Sequence, residues 1–505
     1  MKIPKNNFLY LSKNTNSHTQ THSRMCKKHT QDQNLMQKIT EKPFIILFVA
    51  VLSASLFSFG QVLLPGYTPD DFLTGSTFLP TAFFLNQGRF TEGLIVHFMN
   101  SLHLSMFNVG FGFECLALVL YAFLITYILD TCTPQTFNRW LLAAAGAYIA
   151  SSPFMATLLN YREATFNTAF GFAFIALGLY FHEKYMNAKS DFINIFLSSL
   201  CFTLALGCYQ IFVILIFVYA AFLVVKENYE GTRFSAAFVS KIFAAPFCSV
   251  MLYVLLFAAT KHLAGENDWD HRGALLHLSG LSQRLHDIYD VTKFILDLNT
   301  QHLSAKICLT IVLAGLSVMA FFKRSLSTGL TFLAALASYA LVLLPLSILE
   351  HWEPTPRTLL GSYFIVALWI VWISGISGML SRVLAGLMLV FSLHSMMVSN
   401  DFLTTQLKEN RWDMNVAWSL ITDVKAFNQN QPPASLSVVP NPTAYARSTL
   451  LVPWSIKGLL HETGNIDWPV NAPTPAQEAQ CHTSPHFPVP GYLHHLSENA
   501  VLACM

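Results

Sequence analysis

Asp70 and Asp71 stand side by side in LLPGYTPDDFLTG, residues 63–75, just past an apolar run that stops at Pro65. A carboxylate there could take the proton of an attacking hydroxyl as a new bond forms, acting as a general base. The same pair has a plainer use. Thr68 suits a helix N-cap, Pro69 the first helical position and Asp71 the third, a capping-box-like pattern at the positive end of a helix. Adjacent helical positions point about 100° apart, so the two acids cannot serve one spot. Either the pair serves only the helix start, or one acid faces a site as general base while the other caps or orients it; Asp71 has the better capping explanation.

Three arginines share the polar loops with these acids. Arg89 sits in QGRF, Arg162 precedes Glu163 in YREATFN, and Arg357 lies in EHWEPTPRTLLG, where two prolines stiffen the chain. Each is either a headgroup anchor or a fork for a phosphate. Arg357 is the strongest candidate for the phosphate. Near it Glu353 is a candidate binding residue, and Trp352 suits an interface belt or a sugar ring. Tyr209 and Gln210, in LGCYQ, mark a tight hairpin inside an apolar stretch too long for one helix. The sequence has no GxxxxGK[ST] loop and no GxSxG elbow. His482, His486, His494 and His495 lie near Cys481 without ordered metal-ligand spacing. Cys481 and Cys504 could pair if the tail lies in an oxidising compartment.

The elements that must hold these residues follow from composition. Of 505 residues, 53% are hydrophobic, 11% are charged and 42 are Phe. Mean hydropathy is +0.45. That excludes an ordinary soluble domain. Repeated apolar runs of about 17–22 residues fit the thickness of a hydrocarbon core. The expected fold is an all-α polytopic membrane protein of about eleven spans: 43–64, 109–129, 139–159, 164–182, 192–208, 210–225, 241–260, 306–322, 327–348, 359–377 and 383–399. Residues 1–42 read as a disordered basic cytoplasmic extension, 43–399 as the membrane domain and 400–505 as an outer segment. Lys and Arg concentrate in alternate short loops, which places the N-terminus and those loops in the cytoplasm. The acids and candidate arginines then fall on the opposite face. Residues 93–104, and a second run with Leu281, Leu285, Ile288, Val291, Phe294 and Leu298 at helical spacing, read as helices lying on that outer surface.

The order of the short motifs resembles a known family. GYTPDDF, QGRF, SSPF with YREATFN, LGCYQ, PTPRTLLG and NRWDMNVAWSLI, between about residues 40 and 430, are similar to the type II glucosyltransferases that modify O-antigen. Those enzymes belong to the serotype-converting phages of Shigella flexneri and related enteric bacteria. The resemblance implies a GT-C-like bundle in the bacterial inner membrane. It implies an undecaprenyl-phosphate-glucose donor, supplied by a donor synthase and a flippase, and a lipid-linked O-antigen acceptor. It also assigns the base to an acid of the first outer loop, here Asp70 or Asp71. No nucleic-acid partner and no cofactor beyond the lipid-linked donor is implied. A monophosphate leaving group does not require a bridging metal as a diphosphate often does, so metal-independent transfer is expected. Direct displacement would invert the anomeric centre. Two other classes fit a polytopic chain with charged outer loops. A flippase of lipid-linked sugar would need a polar path, for which Glu114 and His394 are the mid-span ionisable groups. An O-antigen polymerase would lengthen chains without decorating them.

Overall fold

Among the described residues, apolar runs of crossing length form helices. The computed structural model describes residues 42–76, 81–104, 106–187, 192–230, 236–264, 277–297, 356–374, 378–440, 449–497 and 499–505. The expected spans 306–322 and 327–348, the extension 1–41, and Trp352 and Glu353 lie outside these residues. Helix α1 (Lys42–Phe59) runs on into a 3-10 turn, Gly60–Leu63. Three short helices follow: α2 (Pro69–Ser76), α3 (Thr81–Asn86) and α4 (Phe90–Ser101). The bundle continues through α5 (Met106–Cys132), α6 (Arg139–Ala150), α7 (Pro153–Leu159) and α8 (Arg162–Asn187). After these come α9 (Phe192–Cys208), α10 (Phe212–Tyr229), α11 (Ala236–Ala264), α12 (Leu281–Asp297), α13 (Gly361–Ser374) and α14 (Gly378–Phe427).

Six helices among the described residues are long and apolar enough to cross a membrane, and α6 with α7 makes a seventh span if counted together. That pair is bent by 46°. The break falls at Ser151-Ser152, and Pro153, which has no N–H to donate, starts the second piece. Ser399 Oγ of α14 donates to the freed Ser151 carbonyl at 3.0 Å. The chain also breaks between Cys208 and Phe212, at the expected hairpin.

The bundle interior is aromatic. Tyr148 stacks on Tyr363 at 4.6 Å and Tyr121 on Phe172 at 5.3 Å, all four fully buried. Outward, Met379, Val383, Leu387, Val390, Leu393 and Met397 recur every three or four residues along α14 and are exposed, a face built for lipid. Both segments expected as surface helices are helical. On α4 Leu94 and Phe98 are exposed. On α12 Leu281 and Leu285 are exposed, while Arg284 turns inward.

The all-α expectation is corrected in the tail. Helix α14 does not end near Asn400; it continues to Phe427 and carries a small α/β unit. Strands β1 (Ser435–Val439), β2 (Val470–Asn471), β3 (Leu493–His495) and β4 (Ala500–Cys504) form one sheet in the order β2-β1-β4-β3. β1 lies parallel to β2 and β4, and β3 antiparallel to β4. Helices α15 (Pro453–Gly464) and α16 (Pro475–Thr483) complete it. The reason is local: SLSVV and AVLAC are short apolar runs next to Pro and Asn, too short for a helical face and rich in residues that pack on a pleated surface. Cys481 and Cys504 are bonded to each other.

Candidate functional site

The site begins with one N-cap. Thr68 Oγ1 accepts from the Asp71 N–H at 3.3 Å, and Asp71 Oδ2 accepts in return from the Thr68 N–H at 2.6 Å and hydroxyl at 2.9 Å. That is the reciprocal pattern read from TPDD. Asp71 Oδ1 reaches further and accepts from the Glu163 N–H at 2.7 Å, capping the start of α8 as well. Asp71 is buried, and burial pushes its carboxyl up to about 6 against the opposing pull of these hydrogen bonds and of Arg162. Asp70, one position earlier, is only half-buried.

Arg162 and Glu163 together fasten both ends of the acid loop. Arg162 Nε donates to the Gly66 carbonyl at 2.9 Å, and Nη2 donates to those of Val62 at 3.0 Å and Leu64 at 2.7 Å. Its charge meets the buried Glu114 carboxylate at 3.3 Å, and its plane lies over the Tyr67 ring at 5.2 Å. Arg162 therefore faces inward and is committed to the loop. Glu114, read from the sequence as a mid-span ionisable group, is its counter-ion, so it does not mark a separate polar path.

Arg357 comes to the same end of the bundle from far along the chain. Its guanidinium lies 4.4 Å over the ring of Tyr161, and its Nε is buried without a hydrogen-bond partner among the described residues. Burial pushes the Tyr161 hydroxyl up; Arg357 pulls it back, and the charges of Asp70, Asp71 and Glu163 add to the rise. Tyr161 thus lies under Arg357 and within the field of the three acids. It was not among the residues selected from sequence, because an aromatic next to an apolar segment reads as an interface anchor.

A second group adjoins the first. Gly88, at φ +73°, makes the turn from α3 into α4, where a side chain would strike Tyr253. Arg89 then pairs with Glu92 at 3.5 Å and lies 4.9 Å from the Tyr209 ring centroid. Gln210 Nε2 donates to the Gln87 carbonyl at 2.5 Å, so the predicted hairpin clasps this turn. Glu92 is buried, which pushes its carboxyl up to about 7, while Arg89 and a hydrogen bond from Asn167 pull it down. Glu163 feels the charges of both groups, Asp70 and Asp71 on one side and Glu92 and Arg89 on the other. Glu92 and Asn167 also escaped the sequence reading, one hidden in an amphipathic helix and one in an apolar span.

The tail supports the acid helix from outside. Phe72 and Tyr67 belong to the hydrophobic core of the α/β unit, with Val416, Leu420, Leu459 and Val501. Gly458 of α15 lies against the Phe72 backbone, where a Cβ would collide with the Phe72 carbonyl. Asn410 of α14 donates to the Tyr67 carbonyl at 3.3 Å. Among the described residues no group of three or more His, Cys, Asp or Glu side chains is arranged to hold a metal ion.

A family model described as Glucosyl transferase GtrII matches residues 67–374. The matched segment starts at Tyr67 and ends with α13, so it contains Asp70, Asp71, Arg162, Glu163, Arg357 and the Arg89–Glu92 pair. No curated protein and no solved structure matches the chain.

Proposed function

The chain belongs to the glucosyl transferase GtrII family, and from that premise we propose that it moves a glucosyl group from undecaprenyl-phosphate-glucose to a sugar of the lipid-linked O-antigen repeat, on the periplasmic face of the bacterial inner membrane, changing the serotype. The observation that supports this reading is that Arg357 lies 4.4 Å over the ring of Tyr161, two residues before the Glu163 N–H that Asp71 holds at 2.7 Å. A glycosyl transfer from a phosphate needs one group to take a proton and another to receive a departing negative charge. Asp71 already accepts three hydrogen bonds that fix two helix starts. Asp70 is then the base. The acceptor oxygen attacks the anomeric carbon, its proton passes to the Asp70 carboxylate, and the bond to the phosphate oxygen breaks with its electron pair leaving on the lipid phosphate. This single displacement inverts the anomeric centre. Arg357 faces the phosphate. At about 4 Å an added charge interacts with a guanidinium by about 4 kcal/mol at an effective dielectric near 20.

Two further features support the placement. The Cys481–Cys504 bond belongs to a compartment that keeps disulfides, and the tail holding it packs on α2. The periplasm is such a compartment, and the reading puts the N-terminus in the cytoplasm. The eleven-span, GT-C-like architecture is part of the same reading. The decisive experiment is mass analysis of the O-antigen repeat in cells that make the donor, with and without this protein. One added hexose per repeat is the expected result. Altered chain length without added hexose would indicate a polymerase, and an unchanged polysaccharide would sink the assignment.

A further inference from the structure

The turn joining α3 to α4 holds buried polar atoms that the transfer step leaves unused. Asn86, Thr91, Glu92 and Asn167 are each at most 5% exposed. Both amide atoms of Asn86, Nε of Arg89, Oγ1 of Thr91 and Oδ1 of Asn167 have no hydrogen-bond partner among the described residues. Buried polar groups are almost always paired, so a cluster of exceptions points to a ligand that completes them. The kind of ligand follows from the inventory. Asn167 donates to the Glu92 carboxylate, which fixes its amide and leaves the carbonyl oxygen as the open atom. A phosphate, which only accepts, cannot use that oxygen. Moreover Arg89 is already paired with Glu92 at 3.5 Å. By contrast Arg357 has no ion pair among the described residues. A neutral set of mixed donors and acceptors suits hydroxyl groups, which both give and take.

We propose that Asn86 and Thr91, at the α3–α4 turn, with Arg89 and Asn167, which both bind Glu92, form a subsite for the hydroxyls of a pyranose ring, separate from the phosphate position at Arg357. The proposal rests on the glycosyl-transfer reading, and the ring could come from donor or acceptor. Thr91→Val removes one hydroxyl without changing shape, and Asn86→Ala removes both orphan amide atoms. The full chain in detergent is tested for methyl glucoside binding by saturation-transfer NMR, and for the KM of each substrate. Both variants should weaken glucoside binding and raise one KM by roughly tenfold, and the substrate affected names the source of the ring. Thr91→Val should keep or raise thermal stability, since an unpaired buried hydroxyl is replaced by a methyl. Unchanged glucoside binding and unchanged KM values in the folded Thr91→Val protein would overturn the subsite. So would a loss of stability with no change in binding. If the wild-type protein transfers no glucose, the binding arm still decides the subsite, and only the transfer reading fails.

Discussion

Asp70 and Asp71 are neighbours with separate duties. Asp71→Asn keeps the shape but weakens the acceptor that caps α2 and the start of α8. It should cost about 1–2 kcal/mol of stability and reduce transfer only in proportion to lost fold. Asp70→Asn should leave the protein folded and abolish transfer. If both variants modify O-antigen at the wild-type rate and level, neither acid is the base. Burial also gives Asp71 a pH signature. Its folded pKa, about 6, lies above the unfolded carboxylate value. The folded state therefore holds the proton longer, its full contribution is present below about pH 4, and stability falls as pH rises to about 6, by roughly 3 kcal/mol. Glu92, at about 7, acts in the same direction. Thermal unfolding in detergent between pH 4 and 7 should show this decline. Asp71→Asn should flatten it in part, leaving the contribution of Glu92; an unaltered slope would contradict the burial argument.

The dipeptide at the start of α8 is the clearest case of one element setting another. Arg162 holds three carbonyls of the 62–66 segment while the next N–H holds Asp71, so the loop is pinned at both ends by adjacent residues. Replacing Arg162 with Gln strands Glu114 in the bundle and frees the loop. A cost of about 3–5 kcal/mol is expected from breaking a buried pair, with loss of transfer. Lys should rescue charge but not the fork, giving partial stability and little activity. Wild-type melting and turnover in Arg162→Gln would remove the pin. Very little of this was legible beforehand. Thr68 as cap, Pro69 as first helical residue and the break at Tyr209 were readable because each is a local signal of known geometry. Arg162 was readable as an outer arginine but not as a pin, since its carbonyl partners lie nearly a hundred residues earlier. Beyond Asn400, the apolar positions Leu403, Leu407, Val416, Leu420 and Val424 are buried along one stripe of α14, yet the surrounding polar residues hid that face behind a composition shift.

Viewed as one body, the molecule ties its α/β unit to its acid loop through a shared core: Phe72 and Tyr67 pack with tail residues, and Gly458 leaves no space above the Phe72 carbonyl. Damage to the tail should therefore reach Asp70 through α2. The bond between Cys481 and Cys504, 23 positions apart, closes a loop whose restriction of the unfolded chain corresponds to about 3 kcal/mol. Reducing it, or replacing both cysteines with Ser, should loosen β4 and lower transfer together with thermal stability. Gly458→Ala should lower transfer without touching the bond. In sealed vesicles of known orientation, a reductant that cannot cross the membrane should inhibit only from the face bearing the tail, which is also the face bearing Asp70 and Arg357. The double Ser variant should be indifferent to the reductant from either side. Inhibition from the opposite face, or full activity after the bond is shown by labelling to be open, would separate the tail from the acid loop and break the proposed coupling. The physical ground for expecting otherwise is packing: a close-packed core shared by two units passes strain between them, because neither has voids in which to absorb it.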